Sequence, residues 1–300
     1  MAKQRVLLLG ATGNTGESIL NGLLEHGGYE VQILVRPSSA EKPEVKKIAE
    51  QGVKVVIADI NGPVEELISI QKGVDVTISA IDARSQLAQM NLATAAKKAG
   101  KEEVYNHVKR LHLPYTIIDV GFWHQISFPS ALPSRRFDYA LIMPQSTIHG
   151  DGEQPNIIGD LRDLGRWTAR IVDDERTLNK YVFTCSDVLS ENQIFSIVEE
   201  VTGEKPERKQ ISCEEVEAVK HEARIKDEKE PDSFMNRIMR FEADYKYSKY
   251  VRGDNQPEYA KYLGYLDARE LYPDFRPITF RAFVKELADG KIVKPHYDFL

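Results

Sequence analysis

Four short apolar runs punctuate the first eighty residues: Val6 to Leu9, Val31 to Val35, Val53 to Ala58 and Val74 to Ile81. Runs of this length, rich in Val and Ile and bounded by turn residues, predict strands buried on both faces of a parallel sheet. Between the first two, Ile19, Leu20, Leu23 and Leu24 recur at helical spacing and stop at Gly27-Gly28. Ala40 to Gln51, closed by Gly52, and Val64 to Ile70 read as the next helices. Strand and helix in alternation predict an α/β fold, a Rossmann-like doubly wound parallel sheet.

The alternation then falters. Gln86 to Ala99 reads as a helix closed by Gly100, yet Lys101 to Val108 looks helical at once. Two helices joined by one glycine cannot both serve a parallel sheet with right-handed crossovers. A strand and its loop, on the order of 20 residues, are therefore expected to be missing between Gly100 and Lys101. Leu113 to Phe122 resumes as a strand leading into an aromatic loop.

Beyond Pro129 the pattern is less regular, with Pro133, Pro144 and Pro155 marking loops. Leu189 to Thr202 is an amphipathic helix opened by Ser190 and Gln193 as a capping box. Cys213 to Lys229 is a charged helix with a solvated face, and Phe234 to Tyr250 an aromatic-rich helix. In the latter, Phe241, Tyr245 and Tyr247 either line a pocket or pack in the core. Ala268 to Leu287 supplies a last strand and helix. The expected organisation is a single domain over 1–300, with 1–128 mainly the dinucleotide core and 129–300 mainly a smaller α+β substrate subdomain.

The chemistry gathers at the first strand. Gly10, Thr12, Gly13, Asn14, Thr15 and Gly16 follow it directly and open the first helix. Strand, glycine turn and helix N-terminus form a pyrophosphate cradle, because backbone N–H groups point outward and the missing Cβ atoms admit a phosphate. Arg36 ends the second strand, 20 residues beyond Gly16, where dinucleotide folds carry an acid for the ribose 2′-OH. A guanidinium there grips a 2′-phosphate instead, which selects NADP(H) over NAD(H). Asp59, ending the third strand, is either a cofactor contact or a turn residue. Ala80 and Ile81 end the fourth strand at the ligand-binding edge, with Ser79 and Ala80 small enough to leave room for ribose and nicotinamide. Phe122 and Trp123 offer rings to a flat substrate. His124 either relays a proton or packs structurally.

Composition narrows the partners. A net charge of −6 gives no basic surface for nucleic acid or an anionic membrane. The two cysteines, Cys185 and Cys213, lack metal-ligand spacing and suggest a reducing compartment. His107 and His112 have no Cys or acidic partners at ligand spacing, so no metal is expected. No apolar run approaches a membrane span, and Met1 to Gln4 runs straight into the first strand, which points to the cytoplasm. The expected partner is a small molecule, and the chain is expected as a monomer or homodimer, a choice on which the residues are silent.

Several stretches resemble one family. They are GATGNTG at Gly10–Gly16, LVR followed by serines from Leu34, KKAG at Lys97–Gly100, and LPYTIIDVGFWHQ at Leu113–Gln125. GDGEQPN at Gly150–Asn156, DLRDLGRWTA at Asp160–Ala169 and RTLNKYVF at Arg176–Phe183 agree. Together, over roughly the first 200 residues, they resemble the isoflavone reductase-like, NmrA-like branch of atypical short-chain dehydrogenases, in its fungal secondary-metabolism form. The resemblance implies reduction of an aromatic, phenolic or quinone-like substrate with NADPH. Its reductases carry a lysine some 13 residues before the proline of the PYT strand, and Lys101 stands 13 before Pro114. Lys101 is thus the implied catalytic group, donating a hydrogen bond or proton to the substrate oxygen. Other members, like the regulator NmrA, bind the dinucleotide without turning it over. A rival Tyr105-x-x-x-Lys109 pair has the classical short-chain dehydrogenase form, but Lys109 lies only 5 before Pro114, two helical turns out of register.

Overall fold

Val6, Leu7 and Leu8 have no solvent-exposed surface and Leu9 almost none, as a strand covered on both faces requires. A computed structural model describes residues 3–81, 108–109, 111–127, 131–140 and 146–293. Strands β1 (Gln4–Leu9), β2 (Tyr29–Val35), β3 (Lys54–Ile57) and β4 (Val76–Ser79) form one parallel sheet in the order β3-β2-β1-β4. Register pairs Val6 with Val31 on one side and Val76 on the other. Helices α1 (Asn14–His26), α2 (Pro43–Glu50) and α3 (Val64–Gln71) make the connections. Leu67 of α3 packs with Leu7, Leu9 and Leu34, which share one face of the sheet by the period of two. The fold is α/β with parallel sheets, as the alternation predicts.

The chain divides into two compact units, one of residues 1–118, 161–181 and 296–300, the other of 119–160 and 182–295. The first unit thus ends at residue 118 and takes in the later segment 161–181. The physical reason is α4 (Leu161–Ile171), which lies against α1 backbone to backbone. A Cβ on Gly22 would stand 2.1 Å from the carbonyl carbon of Gly165, and one on Gly165 would stand 1.7 Å from the Ser18 oxygen of the main chain. At this crossing the Ser18 hydroxyl donates to the Leu161 carbonyl at 2.6 Å and accepts from the Gly165 N–H at 3.0 Å. The Tyr29 hydroxyl donates to the Ala169 carbonyl at 2.7 Å. Burial, and to a smaller extent the nearby Asp173 carboxylate, pushes its pKa up to about 12.

In the second unit, β6 (Phe122–Trp123) pairs in parallel with β8 (Asn156–Gly159), and β8 pairs antiparallel with β10 (Asp187–Leu189). β5 (Thr116–Asp119) precedes them across the division. β7 (Thr147–His149) pairs with β11 (Lys209–Ile211), and Val182 and Phe183 of β9 (Lys180–Phe183) pair with β12 (Leu266–Asp267). The expected capping box is present: Ser190 accepts from the Gln193 N–H and opens α5 (Glu191–Thr202). α5 packs against α10 (Phe280–Ala288) through Ile194, Val198, Phe283, Val284 and Leu287. The charged helix α6 (Cys213–Lys229) pairs with α7 (Phe234–Lys246) through Asp227 to Arg240 at 2.8 Å and Arg224 to Asp244 at 2.7 Å. Short helices α8 (Pro257–Tyr262) and α9 (Ala268–Leu271) flank β12. The single helix expected over Phe234–Tyr250 ends at Lys246, where the chain widens into a π-helical turn over Tyr247–Arg252 that closes on Gly253 at φ 72°. Cys185 is buried, its Sγ–H donating to the Asp187 carbonyl, and burial pushes its thiol up to about 12, so it is inert.

Gly165→Ala places a methyl inside the main chain of α1 and is expected to destabilise the protein by about 3 kcal/mol or more, by the cost of overpacking a site that cannot yield. Urea unfolding measures it; an unchanged midpoint would show that α1 and α4 are not in backbone contact.

Candidate functional site

The β1–α1 turn has the shape its glycines require. Gly10 sits at φ 81°, and a Cβ there would stand 2.4 Å from the Ala80 carbonyl oxygen. A Cβ on Gly16 would stand 2.0 Å from the Gly10 carbonyl oxygen. Both glycines let main chain meet main chain. Gly13 differs, because among the described residues, its chain neighbours aside, its ideal Cβ meets just the Gly10 oxygen, at 3.5 Å. It is the exposed residue just before α1, and as a glycine it brings no capping side chain to the helix N-terminus. The partial positive charge of that terminus is thus open to an anion that comes close to Gly13, which fits a dinucleotide pyrophosphate. Thr12 is exposed beside it, and Asn14 and Thr15 are half-buried in the first turn of α1.

The other expected cofactor residues are in the same unit. Arg36 is exposed immediately after β2, its carbonyl accepting from the Ser39 N–H in a short turn begun by Pro37. Asp59 is exposed after β3 and takes the turn role: its Oδ1 accepts from the Asn61 N–H at 2.9 Å and its carbonyl from Gly62 at 2.8 Å. Ala80 donates to the Leu9 carbonyl at 3.1 Å, which seats the end of β4 against the glycine turn. Ile81 packs on the cluster that contains Leu7 and Leu9.

Lys101 and Tyr105, and with them the interruption expected at Gly100, lie outside the described residues. Lys109 donates to the Tyr181 hydroxyl at 3.2 Å, and its ammonium stands 5.1 Å from that ring and 5.9 Å from the Tyr115 ring. Tyr181 thus holds Lys109 in a structural pairing.

In the second unit, Phe122 and Trp123 are half-buried in β6. His124 is wholly enclosed, edge-on to Phe280 at 5.4 Å and tilted on Phe283 at 5.7 Å. Asp160 lies 3.7 Å from its Nδ1 and Asp187 4.0 Å from its Nε2, with no hydrogen bond at either nitrogen among the described residues. Enclosure of this kind is what the packing alternative expects. The rings near Phe122 come from α7, with Tyr245 at 6.0 Å and Phe241 stacked on Tyr245 at 6.1 Å.

The residue missed by sequence reasoning is Lys249. It is buried in the π-helical turn, with Nζ 3.3 Å from the Phe122 ring centre and 4.7 Å from that of Tyr250. Desolvation drives its pKa down to about 7, against a smaller upward pull from Glu191. Glu191 itself is engaged elsewhere: its Oε1 meets His149 Nδ1 at 2.8 Å, and the His149 ring stacks on Tyr250 at 4.3 Å. The signal was present in the spacing, since Phe241, Tyr245 and Lys249 recur every fourth residue, but a lone lysine in a charged, aromatic helix reads as solvated. Among the described residues no group of three His, Cys, Asp or Glu side chains is arranged to hold a metal, and no helix is long and apolar enough to cross a membrane.

The NmrA-like family model matches the chain over residues 2–125 and 100–283. The two matched stretches overlap at 100–125, beside the point where the strand–helix alternation fails. A protein of Aspergillus novofumigatus (strain IBT 16806), asnovolin J 5′,6′-dehydrogenase nvfM, is 40% identical, with 95% of each chain covered. That alignment runs over 313 residues, more than this chain possesses, so it contains positions with no residue here. Phenylcoumaran benzylic ether reductase Betv6 of Betula pendula is 26% identical over 95% of this chain and 98% of its own. Among solved structures, the binary complex of leucoanthocyanidin reductase and NADPH from Vitis vinifera superposes with a TM-score of 0.75 at 22% identity, covering 94% of this chain and 99% of that one.

Two outcomes follow from this geometry. Gly13→Ala finds room in the free protein, so its unfolding midpoint is expected to stay put while NADPH affinity, measured by calorimetry, falls roughly tenfold or more as the methyl meets the phosphate. Unchanged affinity would remove Gly13 from the cradle. Lys249 titrates at about 7 when folded and at its ordinary 10.5 when unfolded. Between those values the unfolded chain holds the extra proton, so stability rises with pH across that window; below it the full cost of burying the charge remains. The gain is on the order of a few kcal/mol. Urea midpoints of wild type and Lys249→Met, compared at about pH 6 and about pH 10, report it, and a difference independent of pH would refute it.

Proposed function

Because the chain belongs to the NmrA-like family, we propose that it is an NADPH-dependent oxidoreductase acting on a small aromatic, phenolic or quinone-like substrate. The observation that carries the reading is the open Gly13 at the start of α1, in a unit where Arg36 directly follows β2. The redox names of the Aspergillus and Betula relatives support turnover over a purely regulatory role, for which binding without turnover would be the mark.

In this reading Gly10, Thr12, Gly13, Asn14, Thr15 and Gly16 hold the pyrophosphate, Arg36 pairs with the 2′-phosphate, and Asp59, Ala80 and Ile81 border the rest of the dinucleotide. NADPH, when bound, supplies the hydride. Lys101 donates a hydrogen bond or proton to the substrate oxygen as negative charge develops on it, which lowers the barrier most where water is excluded. Phe122 and Trp123 present rings to the flat body of the substrate. His124, enclosed by Phe280 and Phe283, is assigned to packing in this reading.

The test is a dinucleotide assay run in both directions, since one relative is named a dehydrogenase and another a reductase. Substrate-dependent NADPH oxidation, or NADP+ reduction, is expected. Lys101→Ala should lower kcat by about a hundredfold or more with NADPH affinity intact, in the range of lost acid catalysis. Arg36→Glu should reverse the preference for NADPH over NADH. His124→Leu should leave kcat near wild type, and a collapse of kcat in a folded His124→Leu protein would restore the proton-relay role. Binding of NADPH without turnover of any phenolic or quinone substrate would favour the sensor.

A further inference from the structure

Phe241, Tyr245 and Lys249 lie four residues apart, at the spacing that places side chains on one helix face. Their exposure falls in steps along that face, from 67% at Phe241 to 41% at Tyr245 and 4% at Lys249. The rings form a continuous line: Phe241 stacks on Tyr245 at 6.1 Å with 16° between planes, and Tyr245 meets Phe122 at 6.0 Å. The line ends at the Lys249 amine, 3.3 Å from the Phe122 ring centre. Among the described residues the neighbours of this amine are the faces of Phe122 and Tyr250, with the Glu191 carboxylate acting on it electrostatically. An amine buried against two rings is costly to desolvate, and nothing in core packing asks for one. It lies, moreover, in a π-helical turn, a form of backbone that recurs at functional sites.

We propose that Lys249 anchors a substrate subsite, with a planar ring lying along Phe241, Tyr245 and Phe122 and an acidic oxygen of that ring, a phenol or enol, bound to the Lys249 amine. The inference rests on the oxidoreductase reading and adds to it a second nitrogen, distinct from Lys101, that recognises substrate oxygen. The exchange is a simple acid–base step: the O–H proton passes to Nζ and the resulting ammonium donates a hydrogen bond to the phenolate or enolate oxygen. No electron pair leaves the pair of groups and no third reactant is needed. An amine held near 7 is in part the free base at neutral pH, so it takes up the proton of an oxygen acid of matching strength, such as a nitrophenol or an enol flanked by carbonyls.

The groups that face it are consistent with the assignment. From β6 comes the Phe122 ring, from the turn itself Tyr250, and from α5 the Glu191 carboxylate, already bonded to His149 of β7. Tyr245 stays neutral, because burial of its hydroxyl end and the Asp119 carboxylate hold it up at about 12. The ladder therefore presents neutral rings, and Lys249 is its one basic group.

The probe is 4-nitrophenol, compared with nitrobenzene, which has the same ring without the acidic oxygen. With NADP+ present at neutral pH, the wild-type protein is expected to bind 4-nitrophenol roughly tenfold or more tighter than nitrobenzene, as one charge-assisted hydrogen bond provides, and to raise the phenolate absorption band on binding. Lys249→Met should abolish both the preference and the rise in the band while leaving NADPH affinity unchanged. Phe241→Ala, at an exposed position, should weaken both probes together by about threefold or more. Equal binding of the two probes by wild type, or a preference that survives in Lys249→Met, overturns the proposal. Should Lys249→Met fail to fold, the wild-type spectrum decides alone, and absence of the rise overturns it. NADPH binding separates the two levels: if it fails the oxidoreductase reading falls, and if it holds without the probe preference only the subsite falls.

Discussion

Helix α1 is held main chain to main chain on two sides, and the first unit depends on that constraint. At one end Gly16 sits against Gly10, and further along Gly22 sits against Gly165 of α4. Neither contact tolerates a single added carbon without movement of backbone. Close approach at the first end brings the glycine turn against the end of β4 at Ala80, and close approach at the second lets Ser18 bridge to α4 with two hydrogen bonds. The direction of α1, and so the orientation of its N-terminal dipole, is thus set by what these residues lack. Apolar burial of Ile19, Leu20 and Leu23 adds the larger energy, but it is compatible with many helix orientations. The glycines select one.

Much of the first unit was legible because its signals are local. An apolar run such as Val6–Leu9 and a helical repeat such as Ile19–Leu24 state their burial directly, and strand–helix alternation announces the parallel pairing. Capping residues were equally readable, since Ser190 and Gln193 act across three positions. The allocation of Leu161–Tyr181 was not. Nothing in that segment announces that Gly165 will meet Gly22, because a glycine contact leaves no apolar stripe in the sequence and the two partners are far apart along the chain.

The candidate site divides along the same line. Gly10, Gly13 and Gly16 could be read from spacing, because phosphate binding by a helix terminus is a short-range arrangement. Lys249 could not be read, because what matters about it is the loss of water, and desolvation is decided by Phe122 and Tyr250 arriving from strand and turn. For His124 the same logic ran in reverse: its sequence neighbours suggested a ligand-facing loop, while Phe280 and Phe283, more than a hundred residues later, enclose it.

The hydrogen bond from Ser18 to Leu161 spans 143 residues of chain. A contact of that separation is paid for in loop entropy before it returns any stabilisation, which places it late among folding events. The first unit is thus discontinuous in synthesis as well as in sequence: while residues up to 118 emerge from the ribosome, α1 still lacks its partner helix. It must wait, with one glycine-lined face bare, until the early part of the second unit has been made and α4 follows. A fragment cut at the end of the apparent dinucleotide core would keep the cradle sequence and lose the helix that aims it.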